Sequence, residues 1–326
     1  MNFDYNEEQQ LLADSVRRFL QKDYDFEKRK AILEKGWSEE VWATFAEMGL
    51  TGLPLSPDYG GFGGGAVDLM SVLEAFGEAL VVEPYLPTVL GALAVAKGGD
   101  ARQKKEILPL VAQGKLRLAL ATGMRGVIGA PMADHIVFGS EGRLRIVERD
   151  KVEVRAFRTI DDLAAGDIRF DAKGEALAGG VLDEVLDFGA ALSCAEAVGA
   201  MKFACDTTLE YLKTRRQFGV PIGAFQALQH RMVDMYMSYE QAKSMACLAC
   251  SKVDSSDTPK ERAKAISAAK IKVADAARHI SQESVQLHGG MGMSEELKVS
   301  HTFRRLTALA RRFGDVDHHL ARFASL

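Results

Sequence analysis

Two segments of the chain combine residue types that can hold a phosphate. Residues 211–222 read Tyr-Leu-Lys-Thr-Arg-Arg-Gln-Phe-Gly-Val-Pro-Ile and are followed by Phe225 and Gln226, while residues 286–292 read Gln-Leu-His-Gly-Gly-Met-Gly. Each segment puts an arginine or a glutamine beside glycines at a break between predicted helices. Exposed backbone N–H groups next to an arginine can bind a pyrophosphate. Because helix breaks are often rich in glycine, the residues by themselves favour an ordinary break over a ligand site.

Two other motifs are better explained by ordinary structure than by chemistry. The glycine-rich residues 60–65 suggest a dinucleotide-binding loop, but they follow Leu-Ser-Pro-Asp-Tyr (55–59) rather than an apolar strand, so we expect a flexible turn. Cys247 and Cys250 form a C-x-x-C pair inside an apolar helical run, with no second pair and no histidine nearby. We therefore expect two small buried side chains at these positions.

Four arginines near the end of the chain form two pairs at i, i+7 spacing: Arg304, Arg305, Arg311 and Arg312. A solvated helix face is the default explanation, and binding of an anion such as a CoA phosphate is the alternative. A di-iron site in a helical bundle would need Glu-x-x-His pairs on two helices. No glutamate after residue 181 has a histidine three positions later, so we expect no metal site.

The composition restricts the class of protein. The chain has 326 residues, enough for two or three domains, with 47% hydrophobic and 26% charged residues, as in globular proteins. A net charge of −4 lacks the basic excess of a nucleic-acid-binding protein, and no uninterrupted apolar run reaches the ~18 residues of a membrane helix, so we expect neither partner. The acidic, signal-free first residues and only four cysteines predict a cytoplasmic location.

The elements that must position these residues fall into three predicted domains of a mostly α protein. Residues 1–114 predict an N-terminal helical domain, whose first helix begins at a capping box of Asn6 and Gln9. Residues 115–180 predict a shortened middle β-domain, with strand candidates at 116–120, 135–138, 143–147, 152–157 and 168–170. Residues 181–326 predict a C-terminal four-helix bundle, with helices near 183–213, 226–253, 259–288 and 294–312.

In this order along the chain, the segments resemble the acyl-CoA dehydrogenase family, and the likeness covers most of the sequence. It begins with Asn-Glu-Glu-Gln (6–9), includes Gly-Leu-Thr-Gly-Leu (49–53) and ends with the two C-terminal segments. Within the family the chain is most similar to the small subunits of two-subunit enzymes, such as the pimeloyl-CoA dehydrogenase small subunit, through its tail at 313–320. The resemblance implies the acyl-CoA dehydrogenase fold, with the same three domains.

The resemblance also implies a cofactor and a set of binding residues. Family members oxidise an acyl-CoA thioester to the 2,3-enoyl-CoA: a carboxylate removes the α proton while the β hydride passes to N5 of FAD. An electron-transfer flavoprotein then accepts the electrons of the complex. FAD lies across a subunit interface, and a neighbouring subunit contributes part of its site. The residues of this chain that match the neighbour's contribution are Arg215, Gln217, Phe218, Gln226, Gln286, Gly289 and Gly290.

The part of the family's pattern that receives a subunit's own flavin is missing from this chain. After Leu-Ala-Leu-Ala-Thr (118–122), the family continues with a Thr-Glu-Pro and Gly-Ser-Asp flavin loop. Here residues 123–131, Gly-Met-Arg-Gly-Val-Ile-Gly-Ala-Pro, lead almost directly to Ala-Asp-His (133–135). We expect a deletion of a large part of the β-domain; the alternative is a divergent loop that still closes a pocket.

The family's catalytic base is missing as well. The usual glutamate position falls at Phe313, and a second position used by some members falls at Gly189, with Ala190 where an arginine usually follows. We therefore expect no catalytic residue in this chain, with Asp315 as a weak alternative. Glu196 is open to three explanations: a base, a contact to a partner, or a buried ion pair.

Together these features predict a subunit of a heteromeric FAD-dependent acyl-CoA dehydrogenase that lacks its own base and completes the FAD site of a catalytic partner, in an α2β2 assembly that acts on an acyl-CoA. A self-sufficient enzyme that uses Asp315, and an acyl-CoA-binding or scaffold subunit without flavin, are the alternatives. Two-subunit relatives often act on bulky or dicarboxylic acyl groups, including steroid side chains.

Overall fold

Helices dominate both terminal parts of the chain, and most of the strands lie between them. The computed structural model describes residues 5–140, 143–170 and 174–326; residues 1–4 of the acidic N-terminal stretch lie outside them. The helices are α1 (Glu7–Asp23), α2 (Phe26–Lys35), α3 (Glu39–Glu47), α4 (Ala66–Ala79), α5 (Tyr85–Gly98), α6 (Ala101–Ala112), α7 (Leu182–Thr214), α8 (Gln226–Asp254), α9 (Pro259–His288), α10 (Lys298–Leu309) and α11 (Val316–Ser325). The predicted mostly α fold, with a small β region between two helical parts, is confirmed.

The longer strands follow the predicted pattern, and four short strands are additions to it. They are β1 (Leu118–Ala121), β2 (Val127–Ile128), β3 (His135–Ser140), β4 (Arg143–Glu148), β5 (Glu153–Arg158), β6 (Ala164–Arg169) and β7 (Glu175–Leu177), followed by the hairpin β8 (Arg216–Gln217) and β9 (Val220–Pro221). The short strands β2, β7, β8 and β9 were not predicted, because two or three residues carry no visible alternation of apolar and polar side chains.

The chain divides into two compact units. The sheet unit comprises Arg29–Gly65 and Val82–Gly189. One of its sheets has the order β1-β3-β4-β7, with β1 and β3 parallel, and the other has the antiparallel order β2-β6-β5. A guanidinium pair at the start of the parallel strands sets their register: Arg117 donates through Nε and a terminal nitrogen to Asp134, at 3.1 and 3.0 Å.

The bundle unit comprises Met1–Lys28, Ala66–Val81 and Ala190–Leu326. Its core combines buried apolar residues of α7, α8, α9 and α10, such as Met201, Met235, Ile280 and Leu306. Helix α4 crosses α7 so closely that a Cβ at Gly77 would overlap the carbonyl of Glu196. Only glycine allows this approach of two backbones, which fixes α4 against the bundle.

The C-terminal helices differ in part from the prediction. The predicted helix at 294–312 is shorter and begins at Lys298, because Gly289–Met293 forms a 3-10 helix and a turn follows. Helix α11 was not predicted; it begins after Phe313 and Gly314, which both have positive φ and turn the chain back. The prediction of three domains at 1–114, 115–180 and 181–326 stays a prediction.

The length and mean hydropathy of α7, 1.2 over its most apolar window, would suit a membrane span, although no uninterrupted apolar run had predicted one. However, 89% of that window is buried inside the protein, as is typical of a core helix.

Cys247 and Cys250 are buried, as predicted, and burial raises the pKa of both thiols. The glycine-rich residues 60–65 form a turn ahead of α4, also as predicted, in which Gly63 donates to the carbonyl of Leu55 at 2.7 Å.

Candidate cofactor half-site

The seven residues matched to the neighbour's flavin contacts, called the half-site below, begin at a tight hairpin after α7. Strands β8 and β9 pair antiparallel, and Phe218 and Gly219 form the turn between them. The φ angles of these two residues, 53° and 82°, are those that a type I′ turn needs. The amide of Ile222 donates to the carbonyl of Arg215 at 2.8 Å and closes the hairpin. A bulky residue in the left-handed region costs on the order of 1 kcal/mol, and such strain is concentrated at functional sites.

The hairpin is held rigidly by the ends of the two helices that it joins. The ring of Phe225 meets Phe218 edge to face, with centroids 6.1 Å apart. A Cβ at Gly223 would lie 2.9 Å from the carbonyl oxygen of Leu212, so the chain passes α7 at a distance that only glycine permits. Gln229 donates to the carbonyl of Gly223 at 2.8 Å. These contacts therefore fix the position of the turn that carries Phe218.

Two polar and aromatic contacts bring the end of α9 beside the end of α7. The rings of Tyr211 and His288 stack with centroids 4.4 Å apart, and the buried hydroxyls of Thr208 and Ser284 are 3.0 Å apart. His288 donates through Nδ1 to the carbonyl of Ser284 at 2.8 Å, since a carbonyl can only accept, and burial lowers the pKa of this histidine. Its uncharged ring can therefore stack in the core. This arrangement places Gly289 and Gly290 at the same end of the bundle as the hairpin.

All seven half-site residues are exposed, and Phe218 is 90% exposed. Within the described residues, the side chains of Arg215, Gln217, Gln226 and Gln286 make no hydrogen bond or ion pair. By contrast, the neighbouring Arg216 is used inside the hairpin, where it donates to the carbonyl of Gly219 at 2.8 Å. A free guanidinium, free amides and an exposed aromatic ring thus occupy one end of the bundle unit.

The glycines of the half-site leave room for a ligand. A Cβ at Gly289 or Gly290 would meet no other atom within 4 Å, so neither glycine is required for packing. Gly289 has a φ of 62°, which glycine adopts without strain. Open space beside a free arginine and an aromatic ring suits the pyrophosphate and the adenosine of a dinucleotide. The residues present therefore fit that half of FAD.

The positions at which the family has its base carry no available carboxylate. Phe313 is half-buried, and its carbonyl accepts a hydrogen bond from Nε2 of His319 at 3.0 Å. Asp315 is exposed and caps α11, where its Oδ1 accepts from the backbone amide of His318 at 2.9 Å. A general base works in a dry pocket against its substrate, so this exposed cap does not suit the role that was given to Asp315 as an alternative.

Glu196 belongs to a buried ion cluster. Its Oε1 lies 2.6 Å from Arg305 and its Oε2 lies 3.3 Å from Arg312, and Arg305 also donates to the carbonyl of Val81 at 3.0 Å. The side chains of Glu196 and Arg305 are only 6% and 2% exposed. Of its three explanations, the buried pair is therefore the one that the structure supports.

The prediction of a solvated arginine face was wrong for two of the four arginines. Arg305 and Arg312, seven residues apart, share the buried face, where Glu196 compensates their charges. Arg304 is partly exposed and pairs with Glu295 at 2.9 Å, and Arg311 is exposed. The i, i+7 spacing signalled a shared face, but not which face was buried.

Lys270 was missed by sequence reasoning. It is 3% exposed, and its Nζ donates to the carbonyls of Leu309 and Arg312 at 3.0 and 2.7 Å. Burial lowers the pKa of this amine. Lys270 satisfies carbonyls that the end of α10 leaves without helical partners, and so fixes the turn that contains Phe313.

The segment in place of the family's flavin loop is short and folds onto the sheet unit. Ile168 donates to the carbonyl of Met124 at 2.8 Å, and the amide of Gly126 donates to Asp167 at 3.0 Å. These bonds tie residues 124–126 to β6. Met124 itself is 41% exposed.

Comparison with known proteins identifies relatives along the whole chain. Residues 6–115 match the N-terminal domain of acyl-CoA dehydrogenases, and residues 179–322 match their C-terminal domain. Acyl-CoA dehydrogenase IpdE2 of Mycobacterium tuberculosis is 32% identical over 302 residues, which cover 92% of this chain and 91% of the relative. IpdE2 of Mycolicibacterium smegmatis is 30% identical over 320 residues, with 97% and 98% covered.

Solved structures share the fold over nearly the full length. The Tcur3481-Tcur3483 steroid acyl-CoA dehydrogenase G363A variant superposes with a TM-score of 0.91 at 26% identity, covering 98% of this chain and 97% of that one. The ChsE4-ChsE5 complex of Mycobacterium tuberculosis has the same TM-score at 22% identity, with 100% and 98% covered. From its matched domains and its full-length relatives, the chain belongs to the acyl-CoA dehydrogenase family.

Proposed function

We propose that this chain is a non-catalytic subunit of a heteromeric FAD-dependent acyl-CoA dehydrogenase, and that it completes the FAD site of a longer catalytic partner. The observation that carries the proposal is an asymmetry. The half-site is exposed and its polar side chains are free within the described residues, whereas Phe313 and Gly189 stand where the family has its base. An α2β2 assembly with one FAD per heterodimer would account for the exposed half-site and for the missing base.

The half-site would hold the pyrophosphate and adenosine portion of the partner's FAD. Arg215 would pair with the pyrophosphate, while Phe218 offers its exposed ring to the adenosine side. Gln217, Gln226 and Gln286 supply free amides that can donate or accept hydrogen bonds, and Gly289 and Gly290 leave the space. When bound, FAD supplies the hydride acceptor for α,β-desaturation of the acyl-CoA.

A bulky acyl group is the proposed substrate class for the complex. This rests on the similarity to one solved structure, the Tcur3481-Tcur3483 steroid acyl-CoA dehydrogenase, which is 26% identical to this chain. The partner would supply the carboxylate base, and an electron-transfer flavoprotein would accept the electrons. The likeness to the pimeloyl-CoA dehydrogenase small subunit and the cytoplasmic location stay predictions.

Loss of Arg215 tests the proposal. The chain is co-expressed with a longer acyl-CoA dehydrogenase homologue from the same genome, and flavin per heterodimer is measured by absorbance after gel filtration. A charge-assisted hydrogen bond contributes roughly 1.5–3 kcal/mol, so Arg215→Ala should weaken FAD binding about 10- to 150-fold. Arg18→Ala is the matched control, because Arg18 is also exposed and has no ion pair within the described residues.

Three results would count against the proposal. Unchanged flavin retention in Arg215→Ala would remove the half-site from the FAD interface. A yellow protein, purified without a partner and bleached by an acyl-CoA, would instead favour a self-sufficient enzyme. Binding of acyl-CoA to a colourless chain, measured by calorimetry with and without FAD, would favour the scaffold alternative.

A further inference from the structure

A cavity lies between α6 and the sheet formed by β1, β3, β4 and β7. Its volume is about 560 Å³, and small-molecule sites in proteins occupy roughly 300–1,000 Å³. The residues that line it all belong to the sheet unit, and none of them is a residue of the half-site. The proposed function therefore gives this cavity no role.

The strand register forms the wall of the cavity on the side of the sheet. His135 on β3 is opposite Glu148 on β4, and Ile146 on β4 is opposite Glu175 on β7. Directly opposite residues share a face of the sheet, and side chains two apart on a strand do so as well, so these four side chains lie on one face. Gln103 of α6 donates to Glu175 at 3.1 Å and ties the helix to this face.

The lining is apolar at its buried part. Ile107 of α6, Leu116 and Ile146 line the cavity and are buried, whereas Leu110 of α6 also lines it and is 39% exposed. The apolar part of the lining therefore extends from the protein interior to the surface. A hydrocarbon group that enters beside Leu110 would remove apolar surface from water on both sides.

The charged part of the lining has an acidic excess. It consists of three glutamates and two basic residues: Glu106, Glu148, Glu175, Arg102 and Lys151. Lys151 pairs with Glu148 at 2.6 Å and Arg102 pairs with Glu106 at 2.7 Å, and all four side chains are more than half exposed. Exposed pairs of this kind contribute little to stability, so a charged ligand can displace one of them.

His135 does not offset the acidic excess. Burial lowers the pKa of this histidine, so its ring is uncharged at neutral pH. Its Nδ1 is enclosed and makes no hydrogen bond within the described residues. A turn of the ring would therefore break no internal hydrogen bond at that nitrogen, and a neutral imidazole can accept a hydrogen bond from an N–H group.

We propose that this cavity binds a small amine, with its apolar body between α6 and the sheet and its ammonium group beside the glutamates. The inference does not rest on the proposed function and adds a second ligand site in the other unit of the chain. A carboxylate of the same size would meet the acidic excess and bind less tightly. The preference for a positive charge is thus the property that identifies the site.

Three probes with the same phenylbutyl body measure this preference: 4-phenylbutylamine, 4-phenylbutanol and 4-phenylbutyrate. Each is titrated into the full chain with labelled isoleucine and leucine methyl groups, and the methyl NMR shifts of Ile107, Leu110, Leu116 and Ile146 give the Kd. We expect the amine to shift these methyl groups and to bind about fivefold more tightly than the carboxylate, with the alcohol between them. Glu148→Gln should reduce the advantage of the amine over the alcohol.

A substitution that fills the cavity tests its position. Leu110→Trp should weaken binding of 4-phenylbutylamine at least fivefold, because the larger ring occupies the open part of the lining. Leu209→Trp is the matched control, since Leu209 is also 39% exposed but lies on α7, outside the lining. Its Kd should equal that of the wild type, and the methyl spectrum of each variant confirms that it folds.

Three outcomes would overturn the inference. The first is the absence of shifts at the four lining residues with 4-phenylbutylamine in the millimolar range. The second is a Kd in Leu110→Trp equal to that in Leu209→Trp, which would place the probe elsewhere on the chain. The third is equal or tighter binding of 4-phenylbutyrate, which would exclude an amine as the ligand class. None of these results affects flavin retention, so the proposed function is tested separately.

Discussion

Replacing Glu196 by glutamine should strongly destabilise the bundle unit. The carboxylate lies between Arg305 and Arg312, with side chains that are 6%, 2% and 11% exposed. Glutamine keeps the shape and one acceptor oxygen but removes the charge. Arg305 and Arg312 then lose the charge of a buried partner, and breaking a buried pair by removing one partner costs about 3–5 kcal/mol. The loss should appear as a lower denaturation midpoint in guanidinium chloride, with little change in the slope.

Two further variants make this result interpretable. Arg312→Met removes the longer and more exposed of the two contacts, at 3.3 Å, and leaves Glu196 paired with Arg305, so its effect should be smaller. Glu295→Gln breaks the pair with Arg304 at 2.9 Å, but the Glu295 side chain is 73% exposed, and a surface pair contributes below about 1 kcal/mol. If Glu196→Gln destabilises the protein no more than Glu295→Gln does, the cluster does not stabilise the bundle and the reasoning is refuted.

The free energy of unfolding should also decrease at low pH because of His319. Burial and the charge of Lys270 lower the pKa of this histidine from 6.5 to about 4. The unfolded chain takes up a proton below pH 6.5 and the folded chain only near pH 4, so roughly 3 kcal/mol that is present above pH 6.5 should be lost by pH 4. Urea denaturation at pH 7 and pH 4.5 should show a smaller difference in His319→Gln than in the wild type, and equal differences would argue against this assignment. Gly199→Ala should lower stability by about 1–3 kcal/mol, because a Cβ there would overlap the carbonyl of Glu74 on α4 and neither backbone can yield. Thermal unfolding checks this against Gly290→Ala, where the added methyl meets open space; the same midpoint in both variants would refute the packing argument.

Local signals predicted most of the elements because they depend on neighbouring residues. The capping box of Asn6 and Gln9 forms as expected and starts α1. Helices α7, α8 and α9 end within a residue or two of the predicted bounds, because turn residues with glycine or proline interrupt the helical pattern between them. Helix α11 was missed because its beginning depends on the positive φ angles of Phe313 and Gly314, and phenylalanine gives no local signal for such a turn.

The candidate site was found in sequence by the order of its motifs, while its accessibility was decided by the fold. Arg215 and Arg216 are adjacent and chemically identical, yet only Arg216 is used within the hairpin and Arg215 is left free within the described residues. The difference arises from the turn at Phe218 and Gly219, which brings a carbonyl to one guanidinium and not to the other.

The sequence by itself determined the long helices and the longer strands, and it indicated which residues are candidates for a flavin half-site, because periodicity, caps and motif order are properties of nearby residues. Only the tertiary structure decided which charges are buried. Glu196 and Arg305 are separated by 109 residues, and Lys270 meets carbonyls 39 and 42 residues away. Whether a charged side chain is solvated or paired depends on what packs against it, and that is set by contacts between distant segments rather than by local spacing.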